Sequence, residues 1–371
     1  MTPLEATILP PGIRARILPD INGLAMHVLE AGEPGHPLVL LLHGFPELAW
    51  SWRKILPALA RAGYHVVAPD QRGYGRTTGW VAEYDGDLAP YRMANLARDA
   101  FGLVRALGYS EAACVVGHDF GASVAAWSAL IRPDIYRSVV LMSAPFTGPP
   151  ALPAKPAPDI DTALAALARP RKHYQRYYST RPANADMLNA PQGLPAFLRA
   201  YYHHKSADWP GNQPFPLSGW TAEELAKMPT YYVMNLAQDM AETVAAEMPS
   251  PAEIAANRWL TDPELAIYAT EFARGFQGGL NWYRCRFDPR IIAEQQLYAG
   301  RTIDIPALFI AGRQDWGIEQ SPGALARMRN HAFTDMPAPI LIDGAGHWVQ
   351  QEQPQAVTAA LLAFLARLPP R

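Results

Sequence analysis

Four short apolar runs within the first 145 residues constrain the fold most. Leu38-Val39-Leu40-Leu41-Leu42, His65-Val66-Val67-Ala68, Ala113-Cys114-Val115-Val116 and Ser138-Val139-Val140-Leu141-Met142 are apolar almost without a break. A strand of that composition needs cover on both faces, which suits a parallel sheet between helices. Between two of the runs, Leu96, Ala100, Leu103, Val104 and Leu107 recur at helical spacing, and Gly108 stands where such a helix would end. Strand and helix in alternation predict an α/β fold, with a mostly parallel sheet, helices on both faces and right-handed crossovers.

The alternation then stops. Prolines at 145, 149, 150, 153, 156 and 158 exclude a strand or helix interior and mark a linker. About 140 residues follow that are rich in Tyr, Trp and helix formers and show no buried-strand run. The strand pattern resumes at Ala307-Leu308-Phe309-Ile310 and Pro339-Ile340-Leu341-Ile342, and a last helix is expected from Pro354, with Val357, Leu361, Leu362 and Leu365 on one face. One sheet interrupted by an insertion explains this order better than two consecutive domains. We therefore divide the chain into 1–147 (first part of the core), 148–300 (an inserted all-α cap) and 301–371 (second part of the core). The first ~24 residues receive no assignment.

Composition narrows the function classes. The chain has 371 residues, 49% hydrophobic and 18% charged, with a formal net charge of -2. No overall field draws it to nucleic acid or to an anionic membrane. Arg169, Arg171, Lys172 and Arg176 read as a solvated helix face. Cys114 and Cys285 suit neither a disulfide framework nor metal-ligand spacing. No signal peptide and no apolar stretch of ~18 residues is visible, so a cytoplasmic protein is expected.

The run ending at Val116 passes into Gly117-His118-Asp119-Phe120-Gly121 and then a helix. Strand, Gly-x-nucleophile-x-Gly, helix is the nucleophile elbow of the α/β-hydrolase fold. Here the exposed position holds Asp119, which could otherwise serve only as a helix N-cap. A carboxylate is anionic at neutral pH and can displace a leaving group from saturated carbon. That step leaves an alkyl ester, which water must then hydrolyse. The base needed for that second step is His347, in the Gly-rich stretch Asp343-Gly344-Ala345-Gly346-His347-Trp348. Asp315, after the preceding strand, would orient the imidazole; Asp304 and Asp335 are weaker candidates because neither directly ends a strand. The backbone N–H groups of Phe45, after His43-Gly44, and of Phe120 are candidate oxyanion donors. Asp70-Gln71-Arg72-Gly73-Tyr74-Gly75-Arg76 reads as a structural loop.

With these motifs, His43-Gly44-Phe45-Pro46-Glu47, Ser51-Trp52-Arg53, the 70–76 loop, Gly117 to Ala122 and Gly346-His347-Trp348, the chain resembles the epoxide hydrolases of the α/β-hydrolase superfamily over nearly all of its length beyond residue 24. Haloalkane and haloacetate dehalogenases share the same Asp and His machinery. The resemblance implies two cap tyrosines that give a proton to the epoxide oxygen, a need that a departing halide lacks. One matches Tyr283, in Gly279-Leu280-Asn281-Trp282-Tyr283-Arg284. The other lies in Tyr174-Gln175-Arg176-Tyr177-Tyr178; Tyr174 fits the register, with Tyr177 and Tyr178 on the same helical face. Haloalkane enzymes carry Trp after the nucleophile, where this chain has Phe120. Haloacetate enzymes carry arginines shortly after the nucleophile to hold a carboxylate, where this chain has Ala122 and Ser123. One departure from the epoxide hydrolase pattern is a shorter spacing between Phe272 and Gly279, which puts the rotation of Tyr283 on its helix in question.

The expected activity is hydrolysis of an epoxide to a vicinal diol through an ester on Asp119. No metal or organic cofactor is implied. Expected partners are water and a small hydrophobic epoxide in a pocket that includes Trp282, Trp348 and Phe146, with no nucleic acid or membrane and with homodimerisation left open. Two alternatives stand beside it. A dehalogenase would release halide from haloalkanes and leave styrene oxide untouched. A ligand-binding protein on a hydrolase fold would usually have lost one of Asp119, Asp315 and His347.

Overall fold

The computed structural model describes residues 1–153 and 159–368. Pro156 and Pro158 of the expected linker lie outside the described residues. Eight strands form one sheet: β1 (Ile13–Ile21), β2 (Leu24–Ala31), β3 (Leu38–Leu42), β4 (His65–Pro69), β5 (Cys114–His118), β6 (Val139–Met142), β9 (Ala307–Gly312) and β10 (Ile340–Ile342). Their spatial order is β1-β2-β4-β3-β5-β6-β9-β10. The ladders from β4 to β10 are parallel, and β1 and β2 are antiparallel to their neighbours. Every residue of β3, β5 and β6 is buried, as unbroken apolar composition requires. At about 1.5–3 kcal/mol for each fully buried Val or Leu, these central strands dominate the core.

The unassigned N-terminus is the hairpin β1–β2. Ile21 pairs with Leu24 across Asn22-Gly23, both at positive φ (51° and 79°), the two-residue loop that matches strand twist. β1 alternates buried and exposed positions weakly, as an edge strand does, and Arg14 and Arg16 pair with Glu30 on β2.

Between β6 and β9 the sheet is interrupted by helices, among them Tyr174–Tyr178, Leu194–Lys205, Asp262–Phe272 and Gln277–Arg286. This insertion is not wholly α. A two-stranded antiparallel ribbon pairs β7 (Arg171–His173) with β8 (Val233–Asn235). The charged sequence of β7 hid it. Arg171 is buried and donates to the Val233 carbonyl, Lys172 lies over the Tyr177 ring, and Arg176 pairs with Asp161. Arg171, Lys172 and Arg176 are thus engaged in cap contacts and do not form a solvated helix face, while Arg169 is exposed.

The cap meets the core where glycine permits it. A Cβ on Gly278 would stand 2.1 Å from the Gly73 carbonyl oxygen, and one on Gly279 would stand 2.7 Å from the Tyr74 hydroxyl. Trp282 Nε1 donates to the Arg72 carbonyl at 3.0 Å, and the Arg72 guanidinium is held by both Asp99 oxygens. The 70–76 loop is a seat for the helix that carries Tyr283. Among the described residues no helix is long and apolar enough to cross a membrane.

Candidate active site

The turn after β5 forces Asp119 into a conformation that few L-residues adopt, φ 53° and ψ -120°. Such backbone costs on the order of 1–3 kcal/mol and persists only where its surroundings dictate it. Those surroundings require glycine on both sides: a Cβ on Gly117 would lie 2.1 Å from the Gly121 carbonyl oxygen, and one on Gly121 would lie 2.3 Å from the Leu42 oxygen. Asp119 precedes the helix Phe120–Ile131 but makes no side-chain cap hydrogen bond to it. Its carboxylate turns away from the helix and into a cavity.

One oxygen, Oδ1, accepts from the Phe45 N–H at 2.9 Å. The other, Oδ2, lies 3.3 Å from His347 Nε2, yet the two are not aligned as a hydrogen bond, and Nε2 has no other partner. On its far side, His347 Nδ1 lies 3.2 Å from each oxygen of Asp315. An ionised Asp315 fixes the proton on Nδ1 and leaves the Nε2 lone pair free. Asp315 also accepts from the Gly317 N–H at 2.7 Å, so the turn-forming and imidazole-facing readings of this residue hold together. Asp304 is occupied by the Thr302 and Thr334 hydroxyls.

Both carboxylates are buried, which works against their charge. The nearby His347 ring and the Lys205 ammonium outweigh it, together with His118 for Asp119 and the Gly317 N–H for Asp315, so both sit below the ordinary carboxylate range. Beneath them, His118 directs Nδ1 to Glu47 and Nε2 to the His347 carbonyl oxygen at 2.7 Å. An imidazole facing two acceptors is held as the cation. Burial opposes that state, but Glu47 and Asp119 raise the group above its usual value.

Facing Asp119 across a cavity of about 150 Å³ are Tyr174 and Tyr283. The Tyr283 ring is wedged edge-on against Phe45 (5.5 Å between centroids) and Phe120 (5.0 Å). Across the short Phe272–Gly279 stretch, the Phe272 ring stacks on Phe276, 4.7 Å apart. Tyr174 exchanges hydrogen bonds with Gln320 and Gln175 (3.2 and 3.0 Å). Burial, followed by the Asp119 charge, pushes both phenols above their ordinary range, so they carry their protons at neutral pH. The other two tyrosines of that stretch turn elsewhere: Tyr177 bonds Asp186 at 2.9 Å and Tyr178 bonds Tyr201 at 2.9 Å.

The expected aromatic pocket is not where the sequence put it. Trp282, Trp348 and Phe146 do not border the cavity. Trp282 is spent on docking the cap, Trp348 Nε1 donates to the Tyr202 carbonyl, and Phe146 packs between Trp127 and Phe333. Ser123, His173, Gln175, Gln320 and Ser321 line the cavity instead, beside Phe120 and Trp220. A larger groove of about 1400 Å³ runs between the N-terminal segment and residues around Trp50 and Ile267, and it borders none of these groups. Sequence reasoning also passed over Lys205 and Gln320, and it gave Glu47 no role beyond its place in the 43–47 motif. Lys205 and Glu47 are buried charges and Gln320 anchors Tyr174; neither Lys205 nor Gln320 stands in a spacing that announces a role.

Comparison with known proteins shows the family. The alpha/beta hydrolase fold family matches residues 37–354. Epoxide hydrolase A of Mycobacterium tuberculosis is 38% identical over 362 residues, 95% of this chain and 97% of that protein. Epoxide hydrolase B of the same organism is 34% identical, over 96% of this chain and 99% of that one. Among solved structures, an epoxide hydrolase from an endophytic Streptomyces superposes with a TM-score of 0.77 at 30% identity, covering 96% of each chain. Epoxide hydrolase A from Mycobacterium thermoresistibile gives 0.75 at 34% identity, covering 97% of this chain and all of that one.

Proposed function

Since the chain belongs to the α/β-hydrolase fold family, and within it to the epoxide hydrolases, we propose that it opens epoxides to vicinal diols in two steps at Asp119. The observation that carries this reading is the meeting, on one small cavity, of an ionised carboxylate and two protonated phenols.

In the first step Asp119 Oδ2, the oxygen not held by Phe45, attacks a ring carbon. The ring C–O bond breaks, and its oxygen takes a proton from Tyr283 or Tyr174. Attack through Oδ2 leaves Oδ1 as the ester carbonyl oxygen, already in the grip of the Phe45 N–H. In the second step His347 Nε2 takes a proton from water, whose oxygen attacks the ester carbonyl carbon. Charge then develops on Oδ1, where the Phe45 N–H supports it, with the Phe120 N–H as the second candidate donor. Collapse releases the diol as His347 returns its proton to the departing oxygen. The second proton of the water restores the phenol. Asp315 holds the Nδ1 tautomer throughout.

A His347→Gln variant separates the two steps. Incubated with styrene oxide and digested, it should yield the Asp119 peptide with one substrate mass added. A folded variant that binds substrate yet stays unmodified would sink the ester mechanism.

A further inference from the structure

One buried charge has no part in this scheme. Lys205 ends the cap helix Leu194–Lys205 and is 3% exposed. Its Nζ makes no ion pair or hydrogen bond with any described residue. It sits instead among four rings, 5.0 Å from the centroid of Tyr232, 5.2 Å from Trp348, 5.5 Å from Tyr201 and 5.9 Å from Tyr231. The faces of aromatic rings attract a cation without donating a counter-charge. Burial lowers this ammonium from its ordinary value, while the charges of Asp119, Asp315 and Glu47 act in the opposite sense. The same residue is tied to the base: its carbonyl oxygen accepts from the His347 N–H at 2.9 Å, and the Trp348 ring touches both the ammonium and the imidazole.

We propose that Lys205 is a positioning residue for the general base, a caged cation that balances the charges of Asp119 and Asp315 so that the imidazole between them stays free to take a proton. The inference rests on the roles given above to Asp119, Asp315 and His347. In the free enzyme two carboxylates flank the imidazole, and in the ester Asp315 alone remains charged beside it; each draws a proton onto the ring, and an imidazolium cannot activate water. A permanent cation nearby removes much of that pull. A cage suits the task better than a salt bridge would, because an ammonium bonded to Asp119 or Asp315 would occupy the oxygens that the substrate and His347 need.

The other charged or titratable groups around His347 leave this task to Lys205. His118 below is matched by Glu47. Glu352, at the end of the short helix Val349–Glu352, faces the backbone N–H groups of Ala207, Gly346 and Trp348; burial pushes it up to about 8, and that titration is shared by wild type, Lys205→Arg and the neutral variants alike. Tyr174, Tyr201, Tyr231, Tyr232 and Tyr283 keep their protons, since burial raises each.

The test is the pH dependence of ester breakdown, followed by rapid quench and mass spectrometry of the full-length enzyme with styrene oxide. In Lys205→Met and Lys205→Gln the acid limb should move up by on the order of one pH unit. Ester should then persist about tenfold longer on that limb, with rates above it close to wild type. Lys205→Arg, which keeps the charge, should keep the wild-type limb. A limb that stays put in the neutral variants, one that moves equally in Lys205→Arg, or a loss uniform across pH would overturn the proposal. Should the neutral variants fail to fold, nitrogen-15 NMR of the lysine side chains decides it in the wild-type enzyme. A shielded Lys205 ammonium that persists across the working range supports the proposal, and a neutral amine there refutes it. Failure of wild-type enzyme to form any ester would instead count against the proposed function.

Discussion

Gly73 in the core and Gly278 in the cap touch backbone to backbone, leaving no room for a Cβ on either. The contact lies at the start of the helix Gln277–Arg286, five residues before Tyr283. It sets how deeply the phenol reaches toward Asp119. Gly278→Ala should therefore lift that helix. Overpacking of this kind costs about 1–3 kcal/mol. Turnover should fall by on the order of a hundredfold, because a displacement near 1 Å at a reacting group has that effect. Melting temperature and kcat measured on the same preparation check it. A variant that loses stability but keeps kcat would show that the cap seat does not position the phenol.

Tyr283, Tyr174 and Tyr177 should separate by assay. Tyr283→Phe removes a hydroxyl with no hydrogen bond to any described residue, so stability should barely change while kcat/KM falls by about 10²-fold. Tyr174→Phe should fall by a similar factor, and the double variant should form no measurable ester. Tyr177→Phe should do the reverse, losing about 1 kcal/mol of stability with its bond to Asp186 and keeping full activity. Chemical denaturation and epoxide turnover across the four variants are the measurements.

How much of this was legible in the sequence follows from how each feature is encoded. The strands flanking the elbow appear as unbroken apolar runs because both their faces are buried, and periodicity then reports the environment directly. The elbow was legible because two glycines and an acid at that spacing answer to one steric problem. The hairpin β1–β2 was missed although Asn22-Gly23 signals its turn, since its edge strand carries Arg14 and Arg16 among weakly alternating positions. The ribbon strand Arg171–His173 was hidden for the same reason. Its charges are satisfied by partners distant in sequence, such as the Val233 carbonyl. The pocket aromatics failed differently. Adjacent residues on a helix or loop point in different directions, so Trp282 and Trp348 are taken up by bonds to the Arg72 and Tyr202 carbonyls while Tyr283 borders the cavity and His347 faces Asp119. Lys205 has no local signature, because its cage is assembled from two cap segments and the last loop of the core.

Acid should unfold this protein partly through Asp70. That carboxylate accepts from the backbone N–H groups of Ala49 and Arg76, both at 2.9 Å, and pairs with His27 at 2.8 Å. Burial opposes its charge, but His27 and these N–H groups hold it well below its ordinary 3.8. A depressed carboxylate contributes stability that is fully present above the unfolded value and is lost as pH falls below it toward the folded one. Stability should thus decline from about pH 4 downward. In Asp70→Asn that slope should be shallower and the plateau at neutral pH lower by about 2 kcal/mol. Urea titrations at a series of pH values read both quantities, and an unchanged slope would remove Asp70 from the account.

Asp315→Asn offers the sharpest separation of the two chemical steps. The carboxylate receives the His347 Nδ1 proton and the Gly317 N–H. An amide can keep its oxygen on Gly317 but then turns an N–H₂ toward Nδ1, which favours the tautomer with its proton on Nε2. That nitrogen would no longer take a proton from water. Ester formation, which needs only Asp119 and the phenols, should slow by less than about tenfold. Ester breakdown should slow by about 10³- to 10⁴-fold, the loss seen when an acid that orients a catalytic histidine becomes an amide. Single-turnover mass spectrometry should show the Asp119 ester accumulating to near stoichiometry. Equal slowing of both steps would place Asp315 in the fold of the loop and not in the tautomer of His347.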